Sequence, residues 1–214
     1  ITLENDLVVL ELDTKGARIH KYFLKDYNTW YYEKKDPNDF YATHVQLVNY
    51  RKEGGDFNLV FVTKDGKLVN TKDLLFETDM NQDRYVVSES DSIKFSFEYK
   101  TSLGQIVRKS FTFFGDKYAS NIDIELEKMN DVISSYRYDI VWANGINFVE
   151  ENSVGEAQYS NASAYMVDEQ VVVDASKIDE TEKKELNGQI NWVAVRNKYF
   201  GMILSPNHPS SDDG

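Results

Sequence analysis

The residue types that most often carry catalysis are sparse in this chain of 214 residues. The histidines are His20, His44 and His208, and the first two lie in predicted strands far apart in sequence, which favours structural roles over acid–base or metal-binding roles. There is no cysteine, which excludes thiolate catalysis and cysteine-based zinc sites. No nucleophile elbow, phosphate-binding glycine loop or His-Glu-x-x-His pair occurs. We therefore predict no catalytic, cofactor-binding or metal-binding residues.

Two short patterns have simpler explanations than a site. Asp36-Pro37-Asn38-Asp39 begins like a calcium loop, but Phe40 occupies the place of the third oxygen ligand and no glycine follows where the loop must bend. A solvated turn is the better interpretation. Asn161-Ala162-Ser163 matches the glycosylation acceptor pattern, which matters only in a eukaryotic secretory protein.

The adjacent aromatics Trp30, Tyr31 and Tyr32 leave two interpretations open. Beside a turn, such rings could stack on a sugar or anchor a partner protein. Along a strand, alternation would send Trp30 and Tyr32 to one face and Tyr31 to the other, which describes core and rim packing. We favour packing.

Composition favours a strand-rich protein that does not bind nucleic acid. Aromatic residues make up 14% of the chain and only three residues are proline. The 24 basic and 36 acidic residues give a net charge of −12, which repels phosphate backbones and anionic lipid headgroups. No apolar run approaches the roughly 18 residues that a membrane helix needs. Because the chain begins with Ile1 rather than Met, we expect an excised part of a longer protein.

Period-two alternation of apolar and polar residues dominates the chain. In residues 92–99 and 106–113 this pattern predicts two half-buried strands joined by a turn, and a third strand follows them directly. The apolar positions that face a common core are then Phe95, Phe97, Phe111, Phe113, Ile122 and Ile124. Further strands are predicted at 7–12, 17–24, 44–50, 57–63, 67–70, 84–88, 136–142, 165–174, 190–195 and 199–204.

The predicted fold is mostly β, a single large antiparallel sandwich, because many short alternating strands must close two sheets over a shared core. One segment breaks the pattern. Residues 175–187 are charged and polar, which indicates at most a short exposed helix or a polar loop.

Three stretches resemble the periplasmic domain of the YidC insertases. Residues 13–19 with 24–27 are similar to the family's opening hairpin, although Ala17 takes the place of the usual second turn glycine. Lys109 to Phe113, followed by Asp116 and Tyr118, match its Lys-x-aromatic-x-Phe and Asp-x-Tyr patterns. Residues 191–206 match its Trp-Val-Ala, Tyr-Phe and final Pro. The resemblance covers about residues 7–206.

This resemblance implies a large β-sandwich similar to galactose mutarotase, on the periplasmic side of the bacterial inner membrane. It would be an accessory domain of a membrane-protein insertase, with Sec translocon components or nascent membrane proteins as partners. The family's insertion chemistry lies in a membrane groove outside this segment, so no functional residue is carried over. Further strands follow the Tyr-Phe segment in the family. We therefore expect residues 1–214 to be one monomeric domain, truncated at its C-terminus.

A mutarotase-like carbohydrate-binding or aldose-epimerase sandwich is the alternative. That reaction needs a proton donor and a base that face each other, usually a His and a Glu. His20 and His44 do not fall in motifs that resemble the mutarotases, so we favour the insertase domain and predict no enzyme activity.

The aromatics of the third stretch have an expected role in packing. Alternation along the strand places Trp192 on the face opposite Val193 and Val195. We expect Trp192 to be partly buried, and either Tyr199 or Phe200, but not both, to be fully buried.

Overall fold

Antiparallel strands make up most of the regular structure in the computed structural model, which describes residues 1–49, 57–174, 181–207 and 211–213. Short helical pieces interrupt them: α1 (Phe40–Thr43), α2 (Ser153–Ala157) and 3-10 turns at Tyr32–Lys34 and Thr71–Asp73. The strands are β1 (Thr2–Glu4), β2 (Val8–Asp13), β3 (Arg18–Asn28), β4 (His44–Gln46), β5 (Asn58–Thr63), β6 (Leu68–Asn70), β7 (Glu77–Thr78), β8 (Arg84–Val86), β9 (Ser92–Lys100), β10 (Ile106–Phe114), β11 (Ser120–Glu127), β12 (Ile133–Val141), β13 (Asn161–Met166), β14 (Glu169–Asp174), β15 (Asn187–Arg196), β16 (Gly201–Leu204) and β17 (Ser211–Asp213).

These strands form four sheets. The first sheet has the order β4-β3-β2-β1-β8, the second β11-β10-β9-β7, and the third β12-β5-β6. The fourth has the order β14-β13-β15-β16, with β17 also paired to β15. Neighbouring strands are antiparallel except for β1 and β8, which run parallel. The predicted mostly β, antiparallel class is therefore confirmed.

The second sheet contains the core positions that alternation predicts. Its register places Phe111 between Phe95 on β9 and Ile122 on β11. Phe95, Phe97, Phe111 and Phe113 are at most 3% exposed, whereas Ile122 and Ile124 are half-buried against the same core. The rings of Phe95 and Phe111 stack at 5.5 Å between centroids, and Phe97 meets Phe111 edge-on at 5.9 Å.

The hairpin between β2 and β3 turns through two residues in the left-handed region. Gly16 has φ +82°, and a Cβ there would lie 3.0 Å from the Cα of Lys72. Ala17 follows with φ 47° and is completely buried, in the position where the sequence resemblance expects a second glycine. The turn is therefore fixed by its contacts with neighbouring segments as well as by its own conformational preference.

Lys109 is the most unusual core residue, because its side chain is completely buried at the centre of β10. Its Nζ donates hydrogen bonds to the carbonyl oxygens of Gly16 at 2.7 Å, Ala17 at 3.2 Å and Phe57 at 2.9 Å. The rings of Phe57 and Phe76 lie 5.6 Å from the same nitrogen. We call this arrangement the lysine clamp. It joins the second sheet to the turn of the first sheet and to the chain that enters the third.

Burial away from water, and to a smaller extent the charge of Arg18, lower the pKa of Lys109 to about 7. The three carbonyl acceptors act in the opposite direction, since they match the three protons of an ammonium group. A buried amine in this position is therefore sensitive to pH in a range where ordinary lysines are not.

The fourth sheet stands apart from the main core. Ala164 and Ile190 are buried within it, but neither belongs to the continuous cluster of core residues. Phe200 and Met202 connect this sheet to that cluster as half-buried residues. Most other apolar side chains of β13 to β16 are only partly covered.

Two segments differ from the sequence prediction. Residues 165–174 were expected to form one strand, but β13 and β14 make a hairpin that reverses at Val167, where φ is 53°. Residues 175–180 of the predicted helix or loop lie outside the described residues. Residues 181–186 have no regular structure, and β15 begins at Asn187, so the described part matches the loop rather than the helix.

Truncation of the central phenylalanine should destabilise the whole domain. We expect Phe111→Ala to lower the free energy of unfolding by about 3 to 5 kcal/mol, because loss of the buried ring leaves a cavity beside Phe95 and Phe97. Urea denaturation measures this loss. Leu103→Ala is the control, since Leu103 is 81% exposed and should change stability by less than about 0.5 kcal/mol. Equal effects at both positions would contradict the core assignment.

The lysine clamp should make stability depend on pH. The pKa of Lys109 is lower in the folded chain than in the unfolded chain, so the unfolded state binds more protons above about pH 7. The free energy of unfolding should therefore rise with pH from about 7 to about 10.5, by up to about 1.4 kcal/mol per pH unit. Below about pH 7 both states are protonated and the dependence ends.

Urea denaturation at several pH values would compare the native chain with Lys109→Met, in which this rise should disappear. Lys100→Met is the matched control, because Lys100 is exposed at the end of β9 and its replacement should leave the pH profile unchanged. If the free energy of unfolding depended on pH in the same way for the native chain and for Lys109→Met, the three carbonyl oxygens of the lysine clamp would keep the ammonium group charged throughout this range.

Candidate interaction surface

The turn between β15 and β16 is organised by Asn197, which is only 3% exposed. Its Oδ1 accepts hydrogen bonds from the backbone N–H groups of Tyr199 at 2.9 Å and Phe200 at 2.8 Å. Its Nδ2 donates to the carbonyl oxygen of Asn147 at 3.0 Å. The turn is therefore held both internally and against a distant loop, so residues 198–200 have a defined geometry.

This turn presents a cluster of aromatic rings around one cation. The Nζ of Lys198 lies 4.9 Å from the ring centre of Tyr199 and 5.7 Å from that of Tyr159. Phe200 meets Tyr27, at the end of β3, edge-on at 5.2 Å. Tyr27, Tyr159 and Tyr199 are 46%, 53% and 50% exposed. We call Tyr27, Tyr159, Lys198, Tyr199 and Phe200 the tyrosine patch.

Glu150 and Glu156 support this patch in different ways. Glu150 accepts a hydrogen bond from Lys198 at 3.2 Å and another from the hydroxyl of Tyr199. Glu156, on α2, is completely buried, and its Oε2 accepts from the N–H groups of Val149 at 2.7 Å and Glu150 at 2.9 Å. The buried carboxylate of Glu156 thus fixes the loop that carries Glu150.

The same loop is tied to the first sheet. The Nδ2 of Asn147 donates to the carbonyl oxygens of Gln46 at 3.1 Å and Val48 at 3.0 Å. Because Asn147 also accepts from Asn197, one asparagine connects the edge of the first sheet to the turn of the fourth. The tyrosine patch therefore lies on a supported seam between two sheets.

The tyrosine patch can form apolar contacts and hydrogen bonds with another molecule. Half-exposed tyrosines provide apolar ring surface with a hydroxyl at the edge, and the lysine and glutamate add charge-assisted hydrogen bonds. Rigid tyrosines with few rotatable bonds are enriched at the centres of protein interfaces. The arrangement fits recognition of a macromolecular surface.

A second exposed aromatic group lies in the turn after β3. Trp30 and Tyr31 meet edge-on at 5.0 Å, and the ammonium groups of Lys34 and Lys35 lie 5.2 and 5.5 Å from those two rings. Tyr31, Lys34, Lys35 and Ala42 line a shallow, open groove of about 350 Å³. Trp30 and Tyr32 are 44% and 41% exposed, and the segment is a 3-10 turn. The predicted strand is therefore absent here, and of the expected core and rim packing only rim packing fits these partly exposed rings.

The described histidines and the acidic turn make local packing and capping contacts. His44 stacks on Phe40 at 4.1 Å, and its Nδ1 lies 3.0 Å from the hydroxyl oxygen of Thr43 and 3.1 Å from the carbonyl oxygen of Phe40. His20 is half-buried in β3, and His208 lies outside the described residues. Asp36 accepts from the N–H of Asn38, and Asp39 caps α1 by accepting from the N–H of Ala42.

Two other features are absent from the described residues, a metal-binding cluster and a membrane-spanning helix. Within the described ranges, no group of three or more His, Cys, Asp or Glu side chains could hold a metal ion. No helix among the described residues is long and apolar enough to cross a membrane. The segment Asn161-Ala162-Ser163 forms the first half of β13, paired on both sides with β14 and β15.

Of the two expectations for the aromatic residues in 191–200, one is confirmed and the other is wrong. Trp192 is partly buried as expected, and its ring is stacked on Tyr165 at 5.9 Å. The expectation that Tyr199 or Phe200 would be fully buried is wrong, since the first is half exposed and the second half-buried. The Asn197 turn is the physical reason, because it ends β15 and directs Tyr199 outwards.

The sequence analysis missed Asn197 and Glu156, the buried polar residues that position the patch. A signal for Asn197 was available, because an asparagine between two strand patterns often accepts hydrogen bonds from the backbone two or three residues later. No comparable local signal marks Glu156, since the half-buried Glu150 and the exposed Glu151 nearby have the same residue type.

Comparison with known proteins adds an independent observation. Residues 1–211 match a family described as the YidC periplasmic domain. The membrane protein insertase YidC of Chloroherpeton thalassium is 34% identical over 200 residues, which cover 94% of this chain and 32% of the relative. That of Pelodictyon phaeoclathratiforme is 31% identical over 211 residues, which cover 99% and 34%. That of Chlorobaculum tepidum is 29% identical over 206 residues, which cover 96% and 33%. The chain thus spans about a third of the length of these relatives.

Mutations should distinguish Asn197, which holds the turn in place, from Tyr199, whose ring the turn exposes. We expect Asn197→Ala to lower the free energy of unfolding by about 2 kcal/mol, because it leaves buried backbone groups without partners. Asn197→Asp keeps the acceptor but places a buried carboxylate oxygen against the carbonyl of Asn147, so it should destabilise the chain at least as much. Tyr199→Ala should change stability by less than about 0.5 kcal/mol, as expected for a surface ring. Urea denaturation compares the three variants. A loss at Tyr199 as large as that at Asn197 would make Tyr199 a structural anchor.

Proposed function

This chain belongs to the YidC periplasmic domain family, and from that membership we infer that it is the periplasmic interaction domain of a membrane-protein insertase. The observation that carries the inference is the family match, which extends over residues 1–211. Relatives that are named as membrane protein insertases support it at 34% and 31% identity. The proposed location is the periplasmic side of the bacterial inner membrane.

The role that we propose is binding rather than catalysis. The tyrosine patch offers half-exposed rings, a lysine and a glutamate on a rigid turn, which suits contact with another protein. The proposed partners are subunits of the Sec translocon or nascent membrane proteins. Residues 1–214 act as one domain in this proposal, and the insertion step itself is assigned to the rest of the longer protein.

Among the described residues, no observation favours epimerase chemistry. It would need a histidine and a carboxylate that face each other across a cleft. His44 is instead stacked on Phe40, and its Nδ1 is in contact with a hydroxyl and a carbonyl of the same short helix. The groove beside Tyr31 is shallow and is lined by lysines rather than by an acid–base pair.

Site-specific crosslinking in the full-length insertase tests the proposed role. A photoreactive amino acid at Tyr199 or Tyr159 should give crosslinks to a Sec translocon subunit or to a nascent membrane protein in living cells. The same group at Leu103, which is 81% exposed in the turn between β9 and β10, is the matched control and should give none. Immunoblotting and mass spectrometry identify the products.

Mutation of the patch provides the second arm of this test. With the photoreactive group at Tyr159, Tyr199→Ala should lower the crosslink yield about tenfold, in keeping with the loss of a central interface ring. Equal yields from Tyr159 and Leu103 would place the interface elsewhere. If removal of residues 1–214 changed neither crosslinking nor insertion, the proposed interaction role would itself be wrong.

A further inference from the structure

The strand β14 forms one edge of the fourth sheet. It pairs with β13 along its whole length, from Asn161↔Asp174 to Met166↔Glu169, and no other described strand pairs with it. Val172 is 42% exposed, and Val167, at the turn before β14, is 69% exposed. An edge strand of this kind presents a row of backbone N–H and C=O groups that are not used by the sheet.

Two charged side chains occupy part of that row. Lys184 donates from Nζ to the carbonyl oxygen of Val172 at 2.8 Å, and Glu182 accepts from the N–H of Asp174 at 3.3 Å. Both side chains belong to the exposed, irregular residues 181–186. We call Glu182 and Lys184 the edge guard.

The positions of these bonds identify the outer edge. Val172 and Asp174 have the same parity, so their backbone groups point to the same side of the strand. Because both are bonded to the guard, this side faces away from β13. The guard therefore supplies one donor and one acceptor where a neighbouring strand would supply its own backbone.

We propose that the outer edge of β14 is a strand-addition site for an extended segment of another polypeptide, and that the edge guard occupies it in the free protein. Only an extended backbone offers donors and acceptors at the spacing of a β-ladder. Long, exposed side chains lose considerable conformational freedom when they are held in such contacts, so an incoming backbone can displace them.

The side chains of β14 define the chemistry of the segment that fits. Val171 and Val173 lie on one face of the sheet, and Val172 lies on the other, so apolar side chains on an added strand would find valines on both faces. Asp168, Glu169 and Asp174 surround this valine run with negative charge. The fitting segment is therefore a short apolar strand with lysine or arginine at its ends.

The natural source of such a segment depends on the proposed function, in which the partner is another protein at the membrane. The binding property of the edge does not depend on it. Peptide binding to the 214-residue chain and crosslinking in the full-length insertase are therefore independent tests. Either one can be negative while the other is positive.

Two variants test the edge with a defined probe. The probe is a fluorescein-labelled synthetic peptide of alternating valine and threonine with two lysines at each end, and fluorescence anisotropy measures its binding. Glu182→Ala combined with Lys184→Ala should raise the affinity about fivefold, because the competing contacts are gone. Val172→Pro should lower it at least about tenfold, because proline removes an outward N–H and blocks the edge.

Matched controls keep these results interpretable. Val172→Thr retains the backbone N–H and loses only one apolar contact, so it should bind the peptide much more tightly than Val172→Pro does, and circular dichroism would show whether Val172→Pro keeps its fold. A probe with proline at its central valine should not bind. Equal binding to the native chain and to Val172→Pro would overturn the proposal. Self-association of the guard-free variant without peptide binding would also overturn it, since the guard would then only prevent edge-to-edge pairing.

Discussion

The structure depends most on one buried amine that bonds to three backbone carbonyls. Lys109 extends from the central strand of the second sheet to the turn at Gly16 and Ala17 and to the chain at Phe57. A purely apolar side chain in this position would leave those buried carbonyls without this donor. The lysine clamp therefore ties the second sheet to the turn of the first sheet and to the chain that enters the third, and phenylalanines pack around it.

Sequence reasoning succeeded where one local pattern determines the structure and failed where distant segments do. Alternation was sufficient for β9 to β11, since each apolar position could be assigned to a face from its neighbours. The β13–β14 hairpin was missed because Val167 takes a left-handed conformation without glycine, asparagine or proline to signal a turn. The tyrosine patch could not be predicted because Asn197 is oriented by Asn147, which lies 50 residues away in the chain.

The continuous core and the proposed contact surfaces lie mostly in different parts of the molecule. The first three sheets supply the continuous core, whereas the fourth sheet contributes the Asn197 turn of the tyrosine patch and the exposed edge of β14. Buried polar residues connect the two parts, since Asn147 bonds to Gln46 on one side and accepts from Asn197 on the other. Changes on the exposed surface of the fourth sheet can therefore alter binding without a large loss of folding free energy.

The placement of β1 has a mechanical consequence. This strand lies between β2 and β8 and is bonded to both, and the carbonyl oxygen of Ile1 also accepts from the N–H of Leu12. A force applied to Ile1 along the strand would load both ladders in shear, so their hydrogen bonds would have to break together rather than one after another. The carboxylate of Glu4 adds lateral ties to Lys25 on β3 and Arg84 on β8. Tension along β1 would thus be shared by both neighbouring strands, which resist it together.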